Sequence, residues 1–207
     1  INEVPKIRQI WKSIPEQLAR ENNKFVFSHV KEGGRARDLE DALEWLVDSG
    51  LAVKQNLVEK PELPLSYMAD QTSFKLFFAD VGLLRKKANV YYGTILSGDE
   101  KYVRFKGAFT ENYVANEIVN LGLPLYFWRS GNQAEVDFLT EYKGKLIPIE
   151  VKAAENTKAK SLRQFIHKYK PELGFKLSMR NVGDNREGDT WIYSIPLYEL
   201  WRLEEYL

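Results

Sequence analysis

Between residues 107 and 170 the spacing of apolar residues switches from helical to strand-like and back again. Nothing else in the chain constrains its fold as much, because side chains repeat every ~3.6 residues around a helix and every two along a strand. The pattern predicts a helix from about Gly107 to Leu121. Three strands follow, Leu125–Trp128, Glu135–Thr140 and Leu146–Val151, separated by Ser130-Gly131-Asn132 and Lys143-Gly144. Leu162, Phe165, Ile166 and Tyr169 mark a helix that stops before Pro171. Phe175–Met179 and Trp191–Ser194 read as further strands. Pro196 opens a last amphipathic helix carrying Leu197, Leu200, Trp201 and Leu203. Helix, three strands, helix and strand predict an α/β fold with a mixed central sheet.

The first hundred residues read differently. Ile7, Ile10, Trp11, Ile14 and Leu18 recur at helical spacing. Ser13-Ile14-Pro15-Glu16 fits a capping box with Pro at the first helical position, so two short helices with a kink are expected. Leu39, Ala42, Leu43, Leu46 and Val47 form a second stripe, with Gly50 at the C-cap position. Strand-like runs at Leu51–Val58 and Phe74–Phe78 flank a loop containing Pro61 and Pro64. Helices followed by a two-stranded hairpin make a winged-helix pattern. Arg35 and Arg37 would be its phosphate contacts if it binds DNA; a spacer or protein-contact module fits equally well. The expected division is a winged-helix-like segment over residues 1–100 and a second domain over 101–207.

Composition removes several chemistries. The chain has no Cys, which excludes disulfides, thiolate metal sites and cysteine nucleophiles. With His29 and His167 as the only two histidines, a zinc centre built on several histidines is excluded too. No apolar run approaches the ~20 residues that span a bilayer, and no signal peptide is visible, so a cytoplasmic location away from membranes is expected. The chain starts at Ile1 rather than Met, which reads as a fragment of something longer. Gly93 and Gly98 have P-loop spacing, but Asp99 and Glu100 stand where Lys and Ser/Thr are required, so no ATP site is expected in this chain. The formal net charge of +1 averages over an uneven distribution. Residues 152–170 hold Lys152, Lys158, Lys160, Arg163, Lys168 and Lys170 against Glu155 alone, a local charge of +5.

The constellation that could carry chemistry is Glu111, Asp137, Glu150 and Lys152. Residues two apart on a strand share a face, so Glu150 and Lys152 point the same way. The short turn near Tyr142–Gly144 predicts a hairpin that brings Asp137 across from them. Glu111, on the preceding helix, would complete an acidic cluster. Carboxylate oxygens hold a hard cation while leaving room for water and phosphate. The cation polarises the phosphoryl group, and a lysine steadies the developing charge. The basic stretch that follows suits a polyanionic backbone, with Lys158, Lys160 and Arg163 as contacts. A Glu-x-Lys triplet is common by itself, as Glu141-Tyr142-Lys143 illustrates, and a solvated sheet face with cross-strand ion pairs reads the pattern equally well. Trp128 beside Arg129 is either a core residue or a base-stacking platform.

Gly107-Ala108-Phe109-Thr110-Glu111, Trp128-Arg129-Ser130, Glu135-Val136-Asp137-Phe138 and Ile149-Glu150-Val151-Lys152 closely resemble the PD-(D/E)XK nuclease superfamily, in the arrangement of archaeal Holliday-junction resolvases. More narrowly, the whole chain looks like the C-terminal part of a prokaryotic family in which a AAA-type ATPase module precedes a winged-helix segment and a nuclease-like domain of unknown function. Trp45-Leu46, Phe74-Lys75-Leu76, Asp80-Val81-Gly82-Leu83-Leu84 and Ser161-Leu162-Arg163-Gln164-Phe165 carry that likeness. The resemblance implies a restriction-endonuclease-like αβββαβ core. It implies Asp137 and Glu150 as ligands of magnesium or manganese, Lys152 as the catalytic lysine and Glu111 as an accessory carboxylate. It also implies DNA as a partner, an ATPase module upstream, and Gln164 near the site. The chain departs from the pattern twice: Val136 replaces the signature Pro, and Gln164 stands five residues from Tyr169 instead of four. A metal-dependent DNA phosphodiesterase is the expected function. The alternative is a catalytically silent nuclease-fold module that binds DNA or protein and regulates the ATPase.

Overall fold

The computed structural model of the chain describes residues 3–20, 22–91, 93, 103–131, 134–152 and 159–207. The elements form two units, one of Ile1–Gln55 with Ser73–Asn116, the other of Asn56–Thr72 with Glu117–Leu207. The second is an α/β arrangement with a mixed sheet, as the alternating periodicities predict.

In the first unit, α1 (Glu3–Leu18) packs on α2 (Ala36–Asp48). Ile10, Ile14 and Leu18 on α1 and Leu39, Ala42, Leu43 and Leu46 on α2 are all buried. The expected division into two helices is absent: one helix, α1, runs through Pro15. Ser13 is buried and its hydroxyl donates to the Ile10 carbonyl at 2.8 Å, so it cannot cap a new helix. Burial of the stripe on both sides of Pro15 outweighs the one backbone bond that proline removes. α2 ends as expected at Gly50, whose φ of +68° suits a residue without Cβ. Gly50 N–H bonds Val47 O at 2.9 Å and Leu51 N–H bonds Leu46 O at 3.0 Å, a Schellman closure.

β1 (Ala52–Val58) and β2 (Ala69–Phe78) flank a short helix, α3 (Leu65–Met68), and α4 (Val81–Lys87) follows β2. β2 is twice as long as the apolar run Phe74–Phe78 announces, because its first half is polar and exposed. The part of α5 (Val103–Asn120) that lies in the first unit is pinned to the end of β2 by Asn112. The buried Asn112 amide accepts Phe78 N–H and donates to Phe78 O, both at 2.9 Å, as a neighbouring strand would.

The second unit contains β3 (Tyr126–Ser130), β4 (Ala134–Tyr142), β5 (Lys145–Val151), α6 (Lys160–Tyr169), β6 (Leu173–Ser178), β7 (Gly183–Glu187) and β8 (Thr190–Pro196). The hydrogen-bonded strand order is β2-β1-β3-β4-β5-β6-β8-β7. Residues 56–58 of β1 run parallel to β3, and β5, β6 and β8 run parallel to one another. β3, β4 and β5 alternate in direction. The β4–β5 hairpin closes on Lys143 and Gly144 with φ of +48° and +76°, the two positive values of a type I′ turn. α6 lies over β4 and β5. Beneath it Trp128, Val136, Leu139 and Phe165 form a dry cluster with Val58 and Leu65. The last helix is 3₁₀ rather than α, over Leu197–Tyr206. Leu197, Leu200, Leu203 and Tyr206 are three apart, which eclipses them on one face of a three-residue turn.

Candidate active site

Three of the four expected site residues belong to the second unit. Lys152 Nζ is ion-paired with Glu150 Oε1, as residues two apart on one strand allow. Glu150 is 2% exposed, whereas the Lys152 side chain is 26% exposed. Past the end of β5, Lys152 N–H still bonds Leu177 O at 2.8 Å, which holds its backbone on β6. Asp137 is half-buried, and its Oδ2 accepts the Val151 N–H at 2.7 Å. Its carboxylate therefore lies against the backbone between Glu150 and Lys152.

Local strand geometry explains that placement. Tyr126 pairs with Leu139 but Trp128 pairs with Val136, so Phe127 faces both Asp137 and Phe138. The extra residue is a β-bulge, a device that re-aims side chains beside sites. On the other flank Phe138 stands opposite Ile149, one step from Glu150. The group sits at the carboxyl ends of parallel β5 and β6, where open α/β sheets bind their ligands.

Glu111 belongs to the first unit. Its Oε2 accepts Asn23 Nδ2 at 2.7 Å and lies 3.3 Å from Lys75 Nζ. Lys75 is 1% exposed, so Glu111 has a structural duty as the counter-charge of a buried ammonium. Among the described residues no group of three or more His, Asp or Glu side chains is placed to hold a metal ion. The donor set beside Lys152 is two carboxylates. Oxygen-only donors suit a hard cation of the magnesium kind, which commonly takes one or two carboxylates and completes its shell with water and phosphate.

Of the expected nucleic-acid contacts, Lys158 lies outside the described residues. Lys160, Arg163 and Gln164 are exposed on α6. Arg163 lies 3.4 Å from Glu187 on β7, a strand the sequence reading omits because Gly183–Glu187 carries no apolar residue. Trp128 is core and no base platform. It is fully buried, meets Phe165 edge-on at 5.1 Å, and donates to Glu59 O at 3.1 Å. In the second Glu-x-Lys triplet Glu141 Oε2 accepts Leu65 N–H at 2.7 Å and Lys143 forms the hairpin turn.

Residues 106–200 match the family model of a domain of unknown function, DUF4143. The match agrees with the C-terminal region of proteins built with a AAA-type ATPase. Residues 1–91 match a second domain of unknown function, DUF8612. No curated protein and no solved structure matches the chain. Among the described residues no helix is long and apolar enough to cross a membrane. Sequence reasoning missed Lys176, the residue in register with Glu150 on β6. Its signal was a lone charge between Phe175 and Leu177 in an otherwise apolar strand.

Proposed function

We propose that this chain is a metal-dependent DNA phosphodiesterase module from the C-terminal part of a AAA-type ATPase, with a PD-(D/E)XK-like site behind a winged-helix-like segment. One observation carries the reading: a buried carboxylate, its lysine and a second carboxylate meet at the carboxyl end of β5. The chain order α5, β3, β4, β5, α6, β6 agrees with the αβββαβ core of that superfamily. Asp137 and Glu150 would hold a divalent cation. The chemistry such an ion supplies is polarisation of a phosphoryl oxygen and ionisation of a bound water. Lys152, whose side chain is partly exposed and whose backbone is held on β6, would steady the charge that develops on the phosphoryl oxygens. Lys160 and Arg163 would meet the flanking phosphates.

The test is incubation of the chain with branched, duplex and single-stranded DNA and magnesium. Asp137→Asn keeps an oxygen for the Val151 N–H but removes the charge, so folding should persist while cleavage disappears. Cleavage that survives Asp137→Asn would overturn the assignment.

A silent, regulatory nuclease-fold module is favoured by one specific observation, the engagement of Glu111 with Lys75 and Asn23. A carboxylate committed to a buried lysine is poorly disposed to serve a metal. Titration calorimetry with manganese separates the readings, because heat that vanishes in Asp137→Asn belongs to the catalytic one.

A further inference from the structure

We infer that Lys176 positions the substrate in the proposed site, its ammonium taking a phosphate oxygen of the nucleic-acid backbone. The inference rests on the phosphodiesterase reading and adds a residue to it. β5 and β6 are parallel, with Glu150 in register with Lys176. Partners in register project to the same face of a sheet. Gly174, two residues earlier on β6, identifies that face. A Cβ on Gly174 would meet Pro148 Cγ at 3.3 Å and Leu162 Cδ1 at 3.6 Å, so the side is the one α6 covers. Leu162 belongs to the first turn of α6. The next pair along the two strands on that face is Glu150 with Lys176.

Lys176 is half-buried between Phe175 and Leu177, which are fully buried. Among the described residues its ammonium makes no hydrogen bond or ion pair, although the Glu150–Lys152 pair is its neighbour. With its stem half-buried on this face, the ammonium has an anion to gain from a phosphate oxygen that enters the site. Formal charges agree: Asp137, Glu150, Lys152 and Lys176 sum to zero. A divalent cation then makes the site net positive, as a backbone with one charge per nucleotide requires.

The experiment is fluorescence anisotropy of a short fluorescein-labelled DNA duplex with calcium in place of magnesium, over a salt series, for the wild-type chain, Lys176→Gln, Lys176→Met and Lys176→Arg. Lys176→Met removes a half-buried charge and should fold at least as well as the parent. The expected result is binding about tenfold weaker in the Gln and Met variants, with the slope of log K against log salt smaller by about one, and near-parental behaviour in Lys176→Arg. Unchanged affinity and slope in Gln and Met, while Asp137→Asn still abolishes cleavage, overturn the role of Lys176 and leave the phosphodiesterase reading standing. A wild-type chain that neither binds nor cleaves DNA overturns both. A merely structural lysine would lower the unfolding midpoint without moving the salt slope, and that outcome also overturns the inference.

Discussion

The two units each contain a lysine–glutamate pair, and the pairs are arranged in opposite senses. In Lys75–Glu111 the lysine side chain is 1% exposed and the carboxylate 21%. In Lys152–Glu150 the carboxylate is 3% exposed and the lysine 26%. The buried partner is the one that cannot lose the other, because an uncompensated interior charge costs far more than an exposed one. Lys75 depends on Glu111, which Asn23 also holds in place. Glu150 has Lys152 as its counter-charge, and the Lys152 side chain is the more exposed of the two. The first arrangement buries the cation and the second buries the anion; under the proposed function the second would serve a substrate.

The largest effect that tests this contrast is on stability. Glu111→Gln should lower the unfolding free energy by about 3–5 kcal/mol, because it removes the counter-charge that the buried Lys75 ammonium has in Glu111. Urea unfolding measures it. Replacing both members, Lys75→Met with Glu111→Leu, should recover most of the loss, since no interior charge then remains. A Glu111→Gln chain of parental stability that has lost cleavage would break the contrast and make Glu111 a metal ligand first.

The reverse holds for the second pair. Lys152→Ala should reduce DNA cleavage about 100-fold or more, the usual effect of losing one group that stabilises transition-state charge. Its stability loss should be smaller than that of Glu111→Gln, because the Lys152 side chain is already partly exposed and water or a divalent cation can take its place. Added manganese should raise the unfolding midpoint of Lys152→Ala. If Lys152→Ala cleaves normally but unfolds as readily as Glu111→Gln, the two pairs are both structural.

These two pairs also mark what the chain's residues announce and what they hide. Glu150 and Lys152 are two apart on one strand, so their meeting follows from strand geometry alone. Asp137 is reached by a hairpin whose turn, Lys143-Gly144, is written in two adjacent residues. Lys75 and Glu111 are 36 residues apart, and no local period connects a lysine inside an apolar strand to a glutamate on a later helix. The bulge at Asp137 and Phe138 is likewise invisible, since it depends on which β3 residues the strand meets. Pro15 reads as a break because local propensity is the only information there; packing on α2 overrides it. β7 lacks the apolar residues on which strand reading relies.

A group outside both pairs sharpens the rule at the smallest scale. Tyr126 pairs with Leu139 beside the bulge, and its phenol is held above its ordinary pKa, first by burial and then by the nearby Glu141 charge. The neutral phenol suits the folded state, and the phenolate does not. With the folded value above the unfolded one, the stability present below about pH 10 is lost as pH rises through the folded value. The unfolding midpoint of the parent chain should therefore fall between about pH 9 and pH 11 more steeply than that of Tyr126→Phe, which has no proton to lose there. The difference should be small, because the ring is only partly buried and Glu141 is shared with the Leu65 N–H. Equal slopes in the two chains would mean that water reaches the phenol freely. Partial burial beside a fixed charge would then be too weak to distinguish one protonation state from the other, and the weight placed on the near-complete burial of Lys75 and Glu150 would have to rest on full desolvation alone.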